Sequence, residues 1–117
     1  MGWTFYTNLG QRINSVNHNV PANLTAIKTA NYTAIVGDDI IQCNSTAGGF
    51  AITLPSGVAN GQVFAIKDIA GVAGTPSKRI TVDTAGAELI DGQVDYLIQN
   101  NYGGLTVYYN GTNWSVI

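Results

Sequence analysis

Apolar residues in this chain recur at every second position in short runs, and each run ends at Gly, Asn, Asp or Pro. That period matches a strand, whose side chains alternate between two faces, and it excludes an amphipathic helix, which repeats every 3.6 residues. Phe50, Ile52 and Leu54 share one side of such a run, with Ala51 and Thr53 on the other, and Pro55 ends it because Pro cannot donate to a ladder. Ile80 and Val82 oppose Arg79, Thr81 and Asp83 in the same way. Leu105, Val107 and Tyr109 alternate in one run, Trp114 and Val116 in the next. Asn110-Gly111 between them is the two-residue signature of a type I′ hairpin. Trp114 is expected to anchor the core, since its ring buries a large apolar area.

Extending this reading gives about nine strands: 32–36, 39–44, 50–54, 62–69, 78–84, 88–91, 95–99, 105–109 and 112–117. The first two are expected to form a hairpin around Gly37-Asp38. Ile, Val and Thr supply 34 of 117 residues, which suits strands. No internal repeat is evident. The expected fold is all-β: one small antiparallel β-sandwich of about eight to nine short strands over residues 25–117, preceded by an N-terminal extended arm and linker over 1–24. In that lead, Trp3, Phe5 and Tyr6 form a compact aromatic run, followed by an Asn-rich stretch with His18 and Pro21. It reads either as an arm that seeks a neighbouring subunit or as an ordinary first strand and loop of the same domain.

Charge is the second constraint. Only 10% of residues are Asp, Glu, Lys or Arg, against about 25% in typical soluble domains. Asn, Thr, Ala and Gly take their place. A surface without mixed charge suits burial against other copies or a partner, because interface cores are charge-depleted. The net charge of -2 and the single adjacent basic pair, Lys78-Arg79, offer no basic stripe for nucleic acid. No basic amphipathic helix, 20-residue apolar run or charged leader before an apolar core suggests membrane or secretory targeting.

The residue inventory also argues against catalysis. One His (His18) and one Cys (Cys43) supply neither a triad nor a ligand set, so no cofactor or metal is expected, and Cys43 reads as an inert thiol in a strand. The acidic residues Asp38, Asp39, Asp68, Asp83, Glu88, Asp91 and Asp95 include turn-formers, and the chain has little length left to wall a substrate groove. Gly48-Gly49 and Gly103-Gly104 lack the Lys-Ser/Thr of a phosphate loop and read as turn or bulge glycines. The glycosylation-type triplets at Asn23, Asn31, Asn44, Asn110 and Asn113 are chance products of an Asn/Thr-rich chain.

Several pieces taken in order carry a resemblance. They are the Tyr-Thr and Ile-Ile strands of 32–44, Ala51-Ile52-Thr53-Leu54-Pro55, Ile66-Lys67-Asp68, Ile80-Thr81-Val82-Asp83, Ile90-Asp91-Gly92 and Asn110-Gly111-Thr112-Asn113-Trp114. Together the run from Tyr32 to Ile117 resembles a small β module of phage tail fibres, spikes and other virion surface proteins. The resemblance implies a β-sandwich that forms homotrimers about a threefold axis. The module lacks a long shaft here, which suits a capsid decoration (cement) protein on the outer surface of the head. Its partners would be copies of itself and the major capsid protein, with Trp3, Phe5 and Tyr6 as the docking arm. The alternative within the resemblance is a tail fibre or receptor-binding module whose exposed tyrosines (Tyr102, Tyr108 and Tyr109 are the candidates) stack on host surface glycans.

Overall fold

A computed structural model of the chain describes residues 20–117. Trp3, Phe5, Tyr6, His18 and most of the expected arm lie outside the described residues. Eight strands are present: β1 (Tyr32–Thr33), β2 (Ile40–Cys43), β3 (Phe50–Leu54), β4 (Val63–Asp68), β5 (Ile80–Thr84), β6 (Asp95–Ile98), β7 (Gly104–Tyr109) and β8 (Trp114–Val116), with one 3-10 turn at Pro76–Lys78. They form two four-stranded sheets, ordered β1-β3-β5-β6 and β2-β4-β7-β8. Below, these are the first and second sheets.

The inward faces follow the alternation read from the sequence. Ile52, Leu54, Ile80, Val82 and Ile98 of the first sheet meet Ile41, Cys43, Phe64, Ile66, Leu105, Val107 and Trp114 of the second in one buried cluster. Burying each of these larger side chains contributes about 1.5–3 kcal/mol. Trp114 is 1% exposed, between the rings of Phe64 and Tyr109 at 5.7 and 5.4 Å. Both tilted arrangements suit the ring quadrupoles.

The pairing corrects the antiparallel expectation. β1–β3, β3–β5 and β2–β4 are parallel, whereas β4–β7, β5–β6 and β7–β8 are antiparallel. The cause is connectivity. From β1 to β5 the chain changes sheet at each strand, so it returns to a given sheet only after two reversals and arrives in the same direction. The crossover that a parallel pair requires is supplied by a strand of the opposite layer.

The expected hairpin of 32–36 with 39–44 is therefore absent: β1 and β2 belong to different sheets, and Gly37-Asp38 turns the corner between them. Tyr32 Oη donates to Asp38 Oδ2 at 2.6 Å and braces that corner. The ninth expected strand, 88–91, is reduced to Ile90, which bridges Trp114 and Gln93.

The terminal hairpin forms, but its loop is four residues long, since Tyr109 lies opposite Trp114. Asn110 is not a central residue of a two-residue turn. Its Oδ1 accepts from the Thr112 and Asn113 amides at 3.0 and 2.9 Å, and Gly111 takes the positive φ of 101°. A side chain that captures two amides competes with the tighter turn.

Gly49 serves a close approach of backbones rather than a turn. A Cβ there would stand 2.4 Å from the Arg79 carbonyl oxygen, and the Gly49 amide donates to Ser77 O at 2.9 Å. Gly49→Ala must push apart the starts of β3 and β5. We expect a loss of about 1–3 kcal/mol, read as a lower denaturation midpoint with unchanged slope.

Candidate self-association surface

The two sheets treat their edges differently. Along the outer edge of β2 run residues 23–28, with Thr25 and Lys28 amides donating to Ile40 O and Gln42 O at 3.0 and 2.8 Å. At the other edge of the second sheet, Leu89 O accepts from the Trp114 amide at 2.9 Å and the Asp91 amide donates to Trp114 O at 3.0 Å. The second sheet is thus covered by the chain's own segments on both sides.

The first sheet is not. Beyond β6 no described strand follows, and Asp91–Leu97 is a continuous exposed stretch. Within it Val94 is 72% exposed, and Tyr96 and Leu97 are each 39% exposed. An open edge carrying apolar side chains is a template for pairing with another chain.

The outward face of the second sheet is nearly free of charge, and that of the first carries charge only at its two ends. The outward positions of the second sheet include Ile40, Gln42, Val63, Ala65, Thr106, Tyr108 and Ser115, with Lys67 as the one charged strand residue among them. Lys67 Nζ donates to the Tyr102 carbonyl. The first sheet presents Ala51, Thr53, Thr81 and Leu97, with Arg79 at one end and Asp83 and Asp95 at the other. Half-buried, small and uncharged positions of this kind suit contact with another protein surface.

The candidate tyrosines do not gather on one platform. Tyr109 turns inward against Trp114 at 5.4 Å, while Tyr108 faces out from β7 at 38% exposure. Tyr102 stands at the other end of β7, 61% exposed, with its ring over Gly71 in the space that a Cβ would fill. Its backbone φ of 60° is unusual for a non-glycine residue and costs about 1–3 kcal/mol. Asp68 compensates, since the Tyr102 amide donates to its Oδ2 at 3.0 Å.

Asp68 is the polar hub of this end. Fully buried, it also accepts from Ala70 and Gly71 at Oδ1 (3.1 and 3.0 Å) and from Ala73 at Oδ2 (3.0 Å). Burial alone would push its pKa up, but the amide bonds outweigh burial and hold it below the usual carboxylate value. The sequence shows Asp68 as one of the acidic residues, in the 62–69 strand and at the end of Ile66-Lys67-Asp68, and assigns it no anchoring role.

Cys43 is buried as expected, and burial, reinforced by the charge of Asp68 and opposed by Lys28, pushes its thiol up to about 12. At pH 8 a thiol of that pKa is ionised in roughly one molecule in ten thousand. The native protein should resist maleimide, and the same reagent should label Cys43 fully in denaturant; rapid labelling of the native chain would contradict its burial. Among the described residues no group of three or more His, Cys, Asp or Glu side chains could hold a metal ion, and no helix is long and apolar enough to cross a membrane.

These features define a class, a small two-sheet β domain with one protected sheet and one open-edged sheet. No protein-family model and no curated protein matches the sequence.

Proposed function

We propose that this chain is a non-catalytic structural protein that works by associating with copies of itself. In the form the resemblance implies, it is a homotrimeric capsid decoration protein that binds the major capsid protein on the outside of a phage head. The observation that carries this reading is the open β6 edge, with Val94, Tyr96 and Leu97 exposed beside it, in a domain whose second sheet covers both of its own edges. Charge-poor outward faces support it. On a shell strained by packaged DNA, apolar burial between subunits would oppose rupture at about 25 cal/mol per Å².

The reading is tested by changing the arm in the full chain. A Trp3→Ser, Phe5→Ser, Tyr6→Ser triple variant should keep the wild-type mass but fail to sediment with undecorated shells of the phage that encodes it. Unimpaired sedimentation would remove the arm from the account, and a wild-type chain that never sediments with shells would remove the decoration role.

A second reading, a tail fibre or receptor-binding module, is favoured by one observation: Tyr102 is exposed and held in a costly backbone conformation. It predicts that isolated protein binds host cells and that Tyr102→Ala abolishes this binding.

A further inference from the structure

The outward side of β5 and the residue before it carries, in order, Arg79, Thr81 and Asp83. Arg79 and Asp83 are four residues apart on an extended chain, a separation of about 13 Å. Arg79 Nε and Asp83 Oδ1 are shielded from solvent and have no hydrogen-bond partner among the described residues. Asp83 also lies directly across from Asp95 in the β5–β6 ladder. Like charges facing each other across a ladder are destabilising, and neither carboxylate has an ion-pair partner within the described residues. Between the charged ends lie Ala51, Thr53 and Thr81, with Leu97 directly across from Thr81 in the β5–β6 ladder. At the Arg79 end is a shallow depression of about 480 Å³, lined also by Asn31, Phe50, Ser77 and Leu97.

A face that is positive at one end, negative at the other and flat between them complements itself when turned by 180°. We propose that the outer face of the first sheet packs on the same face of a second copy, about a twofold axis passing through Thr81. Each Arg79 then lies over the partner's Asp83 and Asp95, and the two contacts form together because the interface is isologous. Ala51 and Thr81 at the centre, with Leu97 of each copy beside them, let the sheets approach to the usual spacing of about 10 Å, within reach of an arginine side chain. The pairing supplies the counter-charge that both ends lack in the isolated domain, and it covers Leu97. This face adjoins the open β6 edge and shares Leu97 with it, but its charged contacts are made by the outer side of the sheet rather than by the edge, so the inference does not rest on the trimeric reading. Threefold association multiplies the mass by three, and face pairing multiplies it by two.

The test is light scattering on full-length chains at low ionic strength. The wild type should have a mass of two chains, or of six if the trimer also forms. Arg79→Asp and Asp83→Arg should each remove the factor of two, raising the dissociation constant of the pair by about 100-fold or more. An equimolar mixture of the two variants should regain it, because both contacts between positions 79 and 83 are then again between opposite charges. Thr81→Glu, which faces its own copy on the axis, should also abolish pairing and does not alter either charged residue. A wild-type mass of one or three chains would overturn the proposal. So would single variants that keep the doubled mass, or a mixture of folded variants that fails to regain it.

Discussion

Asp68→Asn is expected to cost about 3 kcal/mol or more, lowering the melting temperature by roughly 10–20 °C. The carboxylate accepts four amides, two at each oxygen: Ala70 and Gly71 at Oδ1, Ala73 and Tyr102 at Oδ2. An asparagine offers one oxygen and an NH2 group. Two amides would then face a donor in a site where the side chain is 0% exposed and water is excluded. The loops after β4 and before β7 lose their common anchor, and Tyr102 loses the amide bond that offsets its left-handed conformation. The same bonds set a pH dependence. Because the folded-state pKa of Asp68 is lowered, its contribution is complete above the ordinary carboxylate value of about 3.9 and is lost as pH falls through the lower native value. Stability of the wild type should therefore fall more steeply than that of Asp68→Asn in acid below about pH 4. Asp91→Asn is the control. Asp91 is exposed and its carboxylate makes one bond, from the Val116 amide at 3.0 Å, which an asparagine oxygen also accepts, so the change should be within about 0.5 kcal/mol. Equal losses for the two variants would contradict the role given to Asp68.

Trp114→Ala should cost about 3–5 kcal/mol, since it empties the space between Phe64 and Tyr109 on the inner face of the second sheet. Trp114→Phe should cost much less. The indole Nε1 is buried without a hydrogen-bond partner among the described residues, a penalty of about 1–3 kcal/mol that phenylalanine does not carry. Removing it offsets part of the lost ring volume. Urea denaturation of the three proteins decides the matter. A Phe variant as unstable as the Ala variant would mean that the indole N–H contributes favourably and that the packing account is incomplete.

The alternation that opened the sequence reading located the core well, because burial of one strand face imposes period two directly. Ile52, Leu54, Ile80, Val82, Leu105, Val107 and Trp114 lie on the faces that rule separates and are buried, while Phe50, Tyr109 and Val116 of the same faces are partly buried. Neighbours were not legible in the same way. A strand's face is written in its own residues, whereas its partner is set by connections that here cross between layers, so parallel pairs were missed. The tight terminal turn was misjudged because Asn110-Gly111 has two uses, and the capture of two amides by Asn110 prevailed. A signal for Asp68 was present and unused: it follows Phe64 and Ile66 at period two, which puts a carboxylate on the buried face, where it needs donors. The open edge was illegible for the opposite reason. Val94, Tyr96 and Leu97 have the composition of core residues, and only the sheet order shows that nothing in the described domain covers them.

Light scattering on the purified full-length chain tests the central claim, that this domain works by associating with itself. The account predicts a mass well above the 12.3 kDa of one chain, at a multiple of three for the decoration protein proposed here, and a return toward a single chain when Val94 and Leu97 are both replaced by Ser. A wild-type protein that stays at one chain across the accessible concentration range would contradict it, and would leave the open β6 edge and the charge-poor faces without the role assigned to them.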